Sequence, residues 1–320
     1  MIKLGKLSLD VPFFQAALSG YSDQAMCLLA LEYGAPLVFS GLVLDKSVLY
    51  PGVLDSLDDR EHPIGGQLLG SDPAIMAQAA KSLQEFGYDL IDLNFACPVP
   101  KIVHKQRGGF LLTRPDVVTD IVRQVRQAVT CPLSMKLRIG YDNATESQDN
   151  FWRICEKAAD AGVDGFVVHG RTVLQRYRQG VDWQMIGQVK QRFDRITVIG
   201  SGDVFTAEDV TRRLAEHTID GVLIARGAIG NPWIFREARA LIAGQPKPPP
   251  PSLSEQGQVM LRHFEMILGL YQARKAIPYF RKFCIYYCKR HPQRKKAQMA
   301  ITTAETVQKM RLAIEQWYGL

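Results

Sequence analysis

The amino-acid sequence predicts an α/β protein, a (β/α)8 TIM barrel followed by a small C-terminal all-helical domain. Three observations carry that expectation. Short β-rich apolar runs recur from residue 12 to residue 225, helical pattern follows nearly every run, and strand signals stop at the proline-rich segment 244–252.

The runs are PFFQAAL (12–18), PLVFSGLV (36–43), IGGQLL (64–69), LIDLNF (90–95), PLSMKLR (132–138), GFVVHG (165–170), ITVIG (196–200) and GVLIA (221–225). Most are continuously apolar, as strands covered on both faces must be. Helices are predicted at 22–33, 73–86, 115–128, 147–161, 183–192, 206–217 and 232–242, and the crossover at 45–60 has the poorest helical pattern. Boundary signals agree: Pro73 and Pro115 suit a first helical turn, Thr206 precedes Glu208 and Asp209, and Gly87 and Gly162 suit left-handed helix stops. An open doubly wound sheet is the alternative, and eight strands with their crossovers favour the closed barrel. The expected organisation is a catalytic barrel over 1–243, a stiff proline-rich linker over 244–252 and a basic helical domain over 253–320.

Hydrophobic residues make up 47% of the 320 and charged residues 22%, the mixture of a soluble globular protein with a real core. No apolar stretch reaches the roughly 18 residues that span a bilayer, and MIKLGKLSLDVP lacks a signal-peptide core, so a cytoplasmic location is expected. The six cysteines (27, 97, 131, 155, 284 and 288) form no C-x-x-C pair, which argues against a disulfide framework or a zinc site. The six histidines do not pair with carboxylates at helix spacing, so no metal is expected, and no serine nucleophile elbow occurs, which disfavours hydrolysis. A monomer is the expected state.

Charge is unevenly distributed. Residues 252–320 carry 12 Lys and Arg against 4 Asp and Glu, a net of +8, whereas residues 1–251 carry 27 against 28. The stretch 273–296 interleaves nine Lys or Arg with Tyr279, Phe280, Phe283, Tyr286 and Tyr287. Most of those aromatics are expected in the core of a small bundle, and the cations suit the phosphates of a nucleic acid.

In a TIM barrel the active site lies at the C-terminal ends of the strands. Those ends carry Ser19-Gly20, Gln67, Asn94 with Cys97, Lys136 with Arg138, His169 with Arg171, Gly200-Ser201-Gly202-Asp203 and Ala225-Arg226-Gly227. The last two turns are glycine-rich, which lets backbone N–H groups approach a phosphate, and Arg226 would add a charge-assisted contact. Lys136 sits inside LSMKLR, where an unpartnered cation is costly, so it is expected to face something electron-rich; the N1 and O2 edge of an isoalloxazine fits. Gln67, both donor and acceptor, suits the pyrimidine edge of the same ring system. His169 on its apolar strand is either a hydrogen-bonded core histidine or a site residue, and its strand-end position before Gly170-Arg171 favours the site. DLIDLNFACPVPKIVHKQRGG (89–109) ends a strand with Asn94, Cys97 and Pro98, and continues with Lys101, His104, Lys105 and Arg107 before Gly108-Gly109.

Taken in order, AALSGYSD (16–23), GGQLLG (65–70), DLNFACPVPKIVHKQRGGFLL (92–112), MKLRIG (135–140), VVHGRT (167–172), GSGDV (200–204) and GVLIARGAIGNPWIF (221–235) make the chain resemble the tRNA-dihydrouridine synthases over nearly its whole length. The resemblance implies an FMN-dependent enzyme, reduced by NADPH, that reduces the C5=C6 bond of specific uridines in tRNA. It implies that Cys97 is the general acid, a role that a thiol mostly protonated at neutral pH can fill. It also implies FMN contacts at Ala17, Leu18, Ser19, Gln67, Lys136, His169, Ser201, Gly202, Asp203, Ala225 and Arg226. Asn94 would face the flavin or the uracil, and Lys105 and Arg171 would meet RNA. The chain departs from the family pattern at Ala17, Leu18, Ala96 and Ser201, and its loop uses Pro100 and His104; Ala96, Pro100 and His104 stand where the choice of uridine would be made.

Three alternatives remain open at this point. The enzyme could act on another RNA, or it could be an FMN barrel oxidoreductase for a small molecule, which predicts a neutral tail. A binding protein that had lost catalysis would show damage at Cys97 or at the phosphate turns.

Overall fold

The computed structural model describes residues 1–50, 52–53 and 57–320. The chain opens with a hairpin, β1 (Ile2–Leu4) and β2 (Leu7–Leu9), then enters the barrel with β3 (Phe13–Gln15), α1 (Gln24–Glu32), β4 (Val38–Phe39), β5 (Val43–Leu44) and α2 (Asp45–Val48). There follow β6 (Ile64–Leu69), α3 (Pro73–Phe86), β7 (Leu90–Phe95), α4 (Pro100–His104), α5 (Pro115–Ala128), β8 (Leu133–Arg138), α6 (Thr145–Asp160) and β9 (Gly165–His169). The barrel ends with α7 (Trp183–Arg192), β10 (Thr197–Ser201), α8 (Ala207–Glu216), β11 (Gly221–Ile224) and α9 (Trp233–Ile242). Beyond the proline-rich segment come α10 (Leu253–Leu270), α11 (Ala273–Tyr287), α12 (Arg294–Thr302) and α13 (Val307–Tyr318).

The barrel strands run parallel in the order β3, β11, β10, β9, β8, β7, β6, β4, with β5 also paired to β6. The Gln15 N–H donates to the Leu37 carbonyl at 3.1 Å and draws the two ends of the sheet together. The strand expected at 36–43 is two short pieces, interrupted at Ser40-Gly41-Leu42, both paired to β6. In the second crossover, Pro51 and residues 54–56 lie outside the described residues.

Strand side chains alternate between two cores. Phe13, Val38, Ile91, Leu93, Met135, Phe166 and Val222 face the helix layer. Phe14, Phe39, Leu90, Val167, Ile199 and Leu223 fill the barrel interior, where Ile2, Leu4 and Leu9 of the hairpin join them. The hairpin fits closely because two strands begin with glycine: a Cβ on Gly165 would lie 2.4 Å from Leu4 Cδ2, and one on Gly221 2.5 Å from Ile2 Cδ1. The N-terminal end of the barrel is thereby sealed with apolar side chains, which leaves the other end for polar chemistry.

The C-terminal helices pack on the barrel, and their buried residues, Phe264, Ile267, Phe280, Phe283 and Tyr287 among them, belong to one continuous cluster with the helix layer. Tyr21 meets Phe283 edge-on with centroids 5.3 Å apart, and Trp233 meets Tyr287 at 6.5 Å. Of the five aromatics singled out at 273–296, Phe280, Phe283 and Tyr287 are buried, whereas Arg274, Lys275, Lys289, Arg294, Lys295 and Lys296 are exposed and carry no ion pair among the described residues. No helix among the described residues is long and apolar enough to cross a membrane.

Candidate functional site

A cavity of about 370 Å³ opens at the C-terminal ends of the strands. Thirteen residues expected at the site line it: Ala17, Leu18, Ser19, Gln67, Asn94, Cys97, Lys136, His169, Ser201, Gly202, Asp203, Ala225 and Arg226. Lys105 and Arg171 do not. Lys105 follows α4 and is exposed on the outside of the loop.

Polar side chains from three neighbouring strands form the floor of the cavity. In β7, Asp92 and Asn94 point inward; Gln67 of β6 is the register partner of Asp92, and Lys136 of β8 is that of Asn94. The backbone N–H groups of Ala96 and Cys97 donate to Asn94 Oδ1 at 3.1 and 3.0 Å, a turn that presents the thiol at the strand end. Gly109 N–H donates to the Cys97 carbonyl at 3.0 Å. A Cβ on Gly108, whose φ is +57°, would fall 2.9 Å from Cys97 Cβ, so the glycine pair of the basic loop is needed for this close closure. Burial raises the pKa of the Cys97 thiol, against smaller opposing effects of a hydrogen bond at Val99 and the charge of Arg138, and keeps it protonated at neutral pH. Cys97 is half-buried, whereas the other five cysteines are buried.

Lys136 borders the cavity with its stem, but its Nζ is buried and has no hydrogen-bond partner. Burial lowers its pKa, Arg138 adds to that, and Asp92 opposes it. Arg138 is itself buried and donates to the carbonyls of Ala96 (2.9 Å), Thr172 (2.9 Å) and Arg176 (2.8 Å), tying the cysteine turn to the loop after β9. Burial, followed by the charges of Lys136, Arg138, Arg171 and Arg226, drives the pKa of His169 far below its ordinary 6.5, so the imidazole is neutral.

Asp203 has a left-handed backbone, φ +48°. Its carboxylate is gripped by Arg171, through Nη1 at 3.1 Å and through Nη2, and by Arg226 at 2.9 Å; the Arg171 bond leads in holding its pKa low. The RNA contact expected of Arg171 does not fit this position: the side chain is buried, its Nε and Nη2 donate to the Gln179 carbonyl, and its Nη1 lies 3.5 Å from His169 Nε2. Arg226 lies against the rings of Tyr177 and Phe205, 4.6 and 5.2 Å from their centroids. Tyr177, Phe205 and Tyr286 line the cavity without having been singled out for it. The first two are loop residues with no periodic signal, and Tyr286 arrives from α11, which local sequence pattern does not place.

A sequence profile described as dihydrouridine synthase matches residues 14–316. The chain belongs to the dihydrouridine synthase family. Membership makes it an enzyme, a flavin-dependent oxidoreductase. Among relatives of the family, it is 33% identical over 301 residues to a tRNA-dihydrouridine synthase B of Shewanella oneidensis, covering 92% of this chain and 91% of that one. It is 30% identical over 292 residues to a probable tRNA-dihydrouridine synthase of Rickettsia bellii, covering 90% and 88%. Among solved structures, histamine dehydrogenase from Rhizobium sp. 4-9 superposes with a TM-score of 0.59 at 14% identity, over 83% of this chain and 50% of that one. Morphinone reductase in complex with tetrahydroNAD gives 0.56 at 16%, over 78% and 92%. At those identities the two structures share the barrel architecture with this dihydrouridine synthase family member.

Proposed function

We propose that the protein reduces the C5=C6 bond of specific uridines in tRNA to dihydrouridine, with FMN as cofactor, NADPH as electron donor and Cys97 as the general acid. One observation carries the reading: Lys136, whose ammonium is buried without a partner, lines with its stem the cavity that also holds a protonated thiol. Bound FMN, once reduced, supplies the hydride that adds to C6.

The residues present fit that cofactor. Lys136 offers an unused cation to the electron-rich N1 and O2 edge of the ring system, and Gln67 and Asn94 supply amide groups beside it. Ser201, Gly202, Asp203, Ala225 and Arg226 would hold the phosphate end, and Ala17, Leu18 and Ser19 would pass the ring mainly by backbone. Arg171 acts here by holding Asp203 and, through it, the position of Arg226.

Cys97 gives its proton to C5 as the hydride pair arrives at C6, and the resulting thiolate regains a proton from water at the open mouth. His169, neutral throughout, can donate or accept a hydrogen bond without adding charge. Asn94 would face the ring or the uracil. The exposed cations of α11 and α12, with exposed Lys105 of the loop after α4, would engage RNA phosphates, and the target base would leave its stack to enter the cavity. The enzyme would act in the cytoplasm as a monomer.

Mapping of dihydrouridine in tRNA and ribosomal RNA from a deletion strain tests this reading. One or more tRNA positions should lose the modification and regain it with the wild-type gene but not with Cys97→Ala. If every position keeps its dihydrouridine, the RNA-reduction reading is wrong; if Cys97→Ala restores it fully, Cys97 is not the acid.

A further inference from the structure

Asp92 is a carboxylate in the middle of the barrel, 1% exposed, and the reaction chemistry above gives it no role. Its Oδ1 accepts from Ser134 Oγ at 2.6 Å and its Oδ2 from Gln67 Nε2 at 2.7 Å. Gln67 Oε1 in turn accepts from Asn94 Nδ2 at 2.7 Å, and Asn94 Oδ1 accepts from the N–H groups of Ala96 and Cys97. The chain of bonds has a single direction. Backbone N–H groups can only donate, so Asn94 must turn its oxygen toward Cys97 and its amide nitrogen toward Gln67. Gln67 must then present its oxygen to Asn94 and its nitrogen to an acceptor, and an ionised carboxylate accepts only. Burial raises the Asp92 pKa to about 6, against the bonds from Ser134 and Gln67 and the charge of Lys136, so the carboxylate is ionised at neutral pH.

We propose that Asp92 is a positioning residue that sets the place of the Cys97 thiol through Gln67 and Asn94. The proposal deepens the reading of Cys97 as proton donor and rests on it. Without Asp92, Gln67 loses the acceptor that orients it and can rotate its amide to face Asn94 with the nitrogen. Asn94 then has no partner for its own N–H groups, and the bonds that hold the cysteine turn slacken.

Two substitutions separate this role from a general structural one. Asp92→Ala removes the acceptor. Asp92→Asn keeps it, because the new amide oxygen can accept from Gln67 while its nitrogen donates to Ser134 Oγ, which accepts equally well. The readout is the rate at which iodoacetamide alkylates Cys97 in the folded, cofactor-free protein, followed by mass spectrometry; the other five thiols are buried. Asp92→Ala should change that rate by about tenfold, the worth of one hydrogen bond to a charged group, and Asp92→Asn should return it to the wild-type value. Should Asp92→Ala fail to fold, Asp92→Leu fills the space and serves in its place. An unchanged rate in the folded Ala or Leu variant overturns the proposal, and so does an Asn variant that departs as far as they do, because charge rather than the bonded chain would then be responsible. The alkylation readout does not depend on turnover, so it stays separate from the Cys97→Ala test of the reaction itself.

Discussion

Replacing His263 by leucine should make the protein less stable at neutral pH and more stable in mild acid. His263 lies on α10 and is 1% exposed, with its ring centroid 4.5 Å from that of Phe283 and 5.6 Å from that of Phe280. Its Nδ1 lies 3.0 Å from the Tyr287 hydroxyl, and its Nε2 is buried without a partner. Burial, with a smaller contribution from the charge of Lys282, lowers its pKa from 6.5 to about 3. Between those two values the unfolded chain takes up a proton that the folded protein refuses. Stability is therefore complete above the unfolded value and falls as the pH falls toward the folded one, by about 1.4 kcal/mol per pH unit. At about pH 4.5 the accumulated loss is roughly 3 kcal/mol. Leucine cannot titrate, so it removes this slope; it also leaves the Tyr287 hydroxyl without its partner, at a cost of about 1 kcal/mol at every pH. The two stability curves should cross about 0.6 of a unit below the ordinary histidine value, at about pH 5.9. His169 bends both curves alike and cancels in the comparison. Urea unfolding followed by circular dichroism, at intervals from about pH 4.5 to 8, measures both curves. Parallel curves, or a variant still the less stable at the acid end, would refute the reasoning.

Lys136→Met should stabilise the cofactor-free protein by about 1–3 kcal/mol in urea unfolding, because it removes a buried ammonium with no partner, while weakening flavin binding measured by fluorescence titration. Gly65→Ala should cost about 1–3 kcal/mol, since its Cβ would lie 2.3 Å from Phe39 Cε1 inside the barrel; an unchanged urea midpoint would mean the ring has room to move. Arg171→Met should cost about 2 kcal/mol, at the low side for a broken buried pair because 33% of the Asp203 side chain meets solvent. The same variant should lower flavin affinity more than it alters the alkylation rate of Cys97; the reverse order would place Arg171 at the thiol rather than at the phosphate turn.

The eight barrel strands were legible because each is an apolar run with its own turn signal; the strand-end rule then pointed to eleven of the thirteen expected residues that line the cavity, and the family resemblance added Ala17 and Leu18. Other features depend on information that a local pattern does not hold. The β1–β2 hairpin consists of three-residue strands, too short for alternation to stand out, although Ile2 and Leu4, Leu7 and Leu9, with Gly5 between them, carry the pattern. Asp92 sits in LIDLNF two residues before Asn94, so period-two alternation puts both on the same face, and this was the available signal for a buried carboxylate beneath the site. Arg171 was expected to face RNA because an arginine beside a cavity has many possible partners; the one it takes, Asp203, is 32 residues away.

The two ends of the barrel interior are opposites, and the contrast accounts for the placing of the chemistry. At the N-terminal end, Ile2, Leu4 and Leu9 close over Phe14, Leu90, Val167 and Ile199 in an apolar cluster. Toward the other end stand Gln67 of β6, Asp92 and Asn94 of β7, and Ser134 and Lys136 of β8; the first four are bonded along one path, and Lys136 Nζ is buried without a partner. The cavity rim is then completed from outside the barrel. Lys282 of α11 donates to the Gly20 carbonyl, and Tyr286, one turn further along the helix, lines the cavity while its ring meets Tyr21 at 6.0 Å. Thus the loop after β3, which carries Leu18 and Ser19 to the cavity, takes its shape from the helix that also displays exposed cations. In the proposed reaction this shared helix joins the grip on RNA to the pocket that receives the base, so a shift of α11 on binding RNA would be felt at the mouth of the barrel through Gly20, Tyr21 and Tyr286 and not at its sealed end.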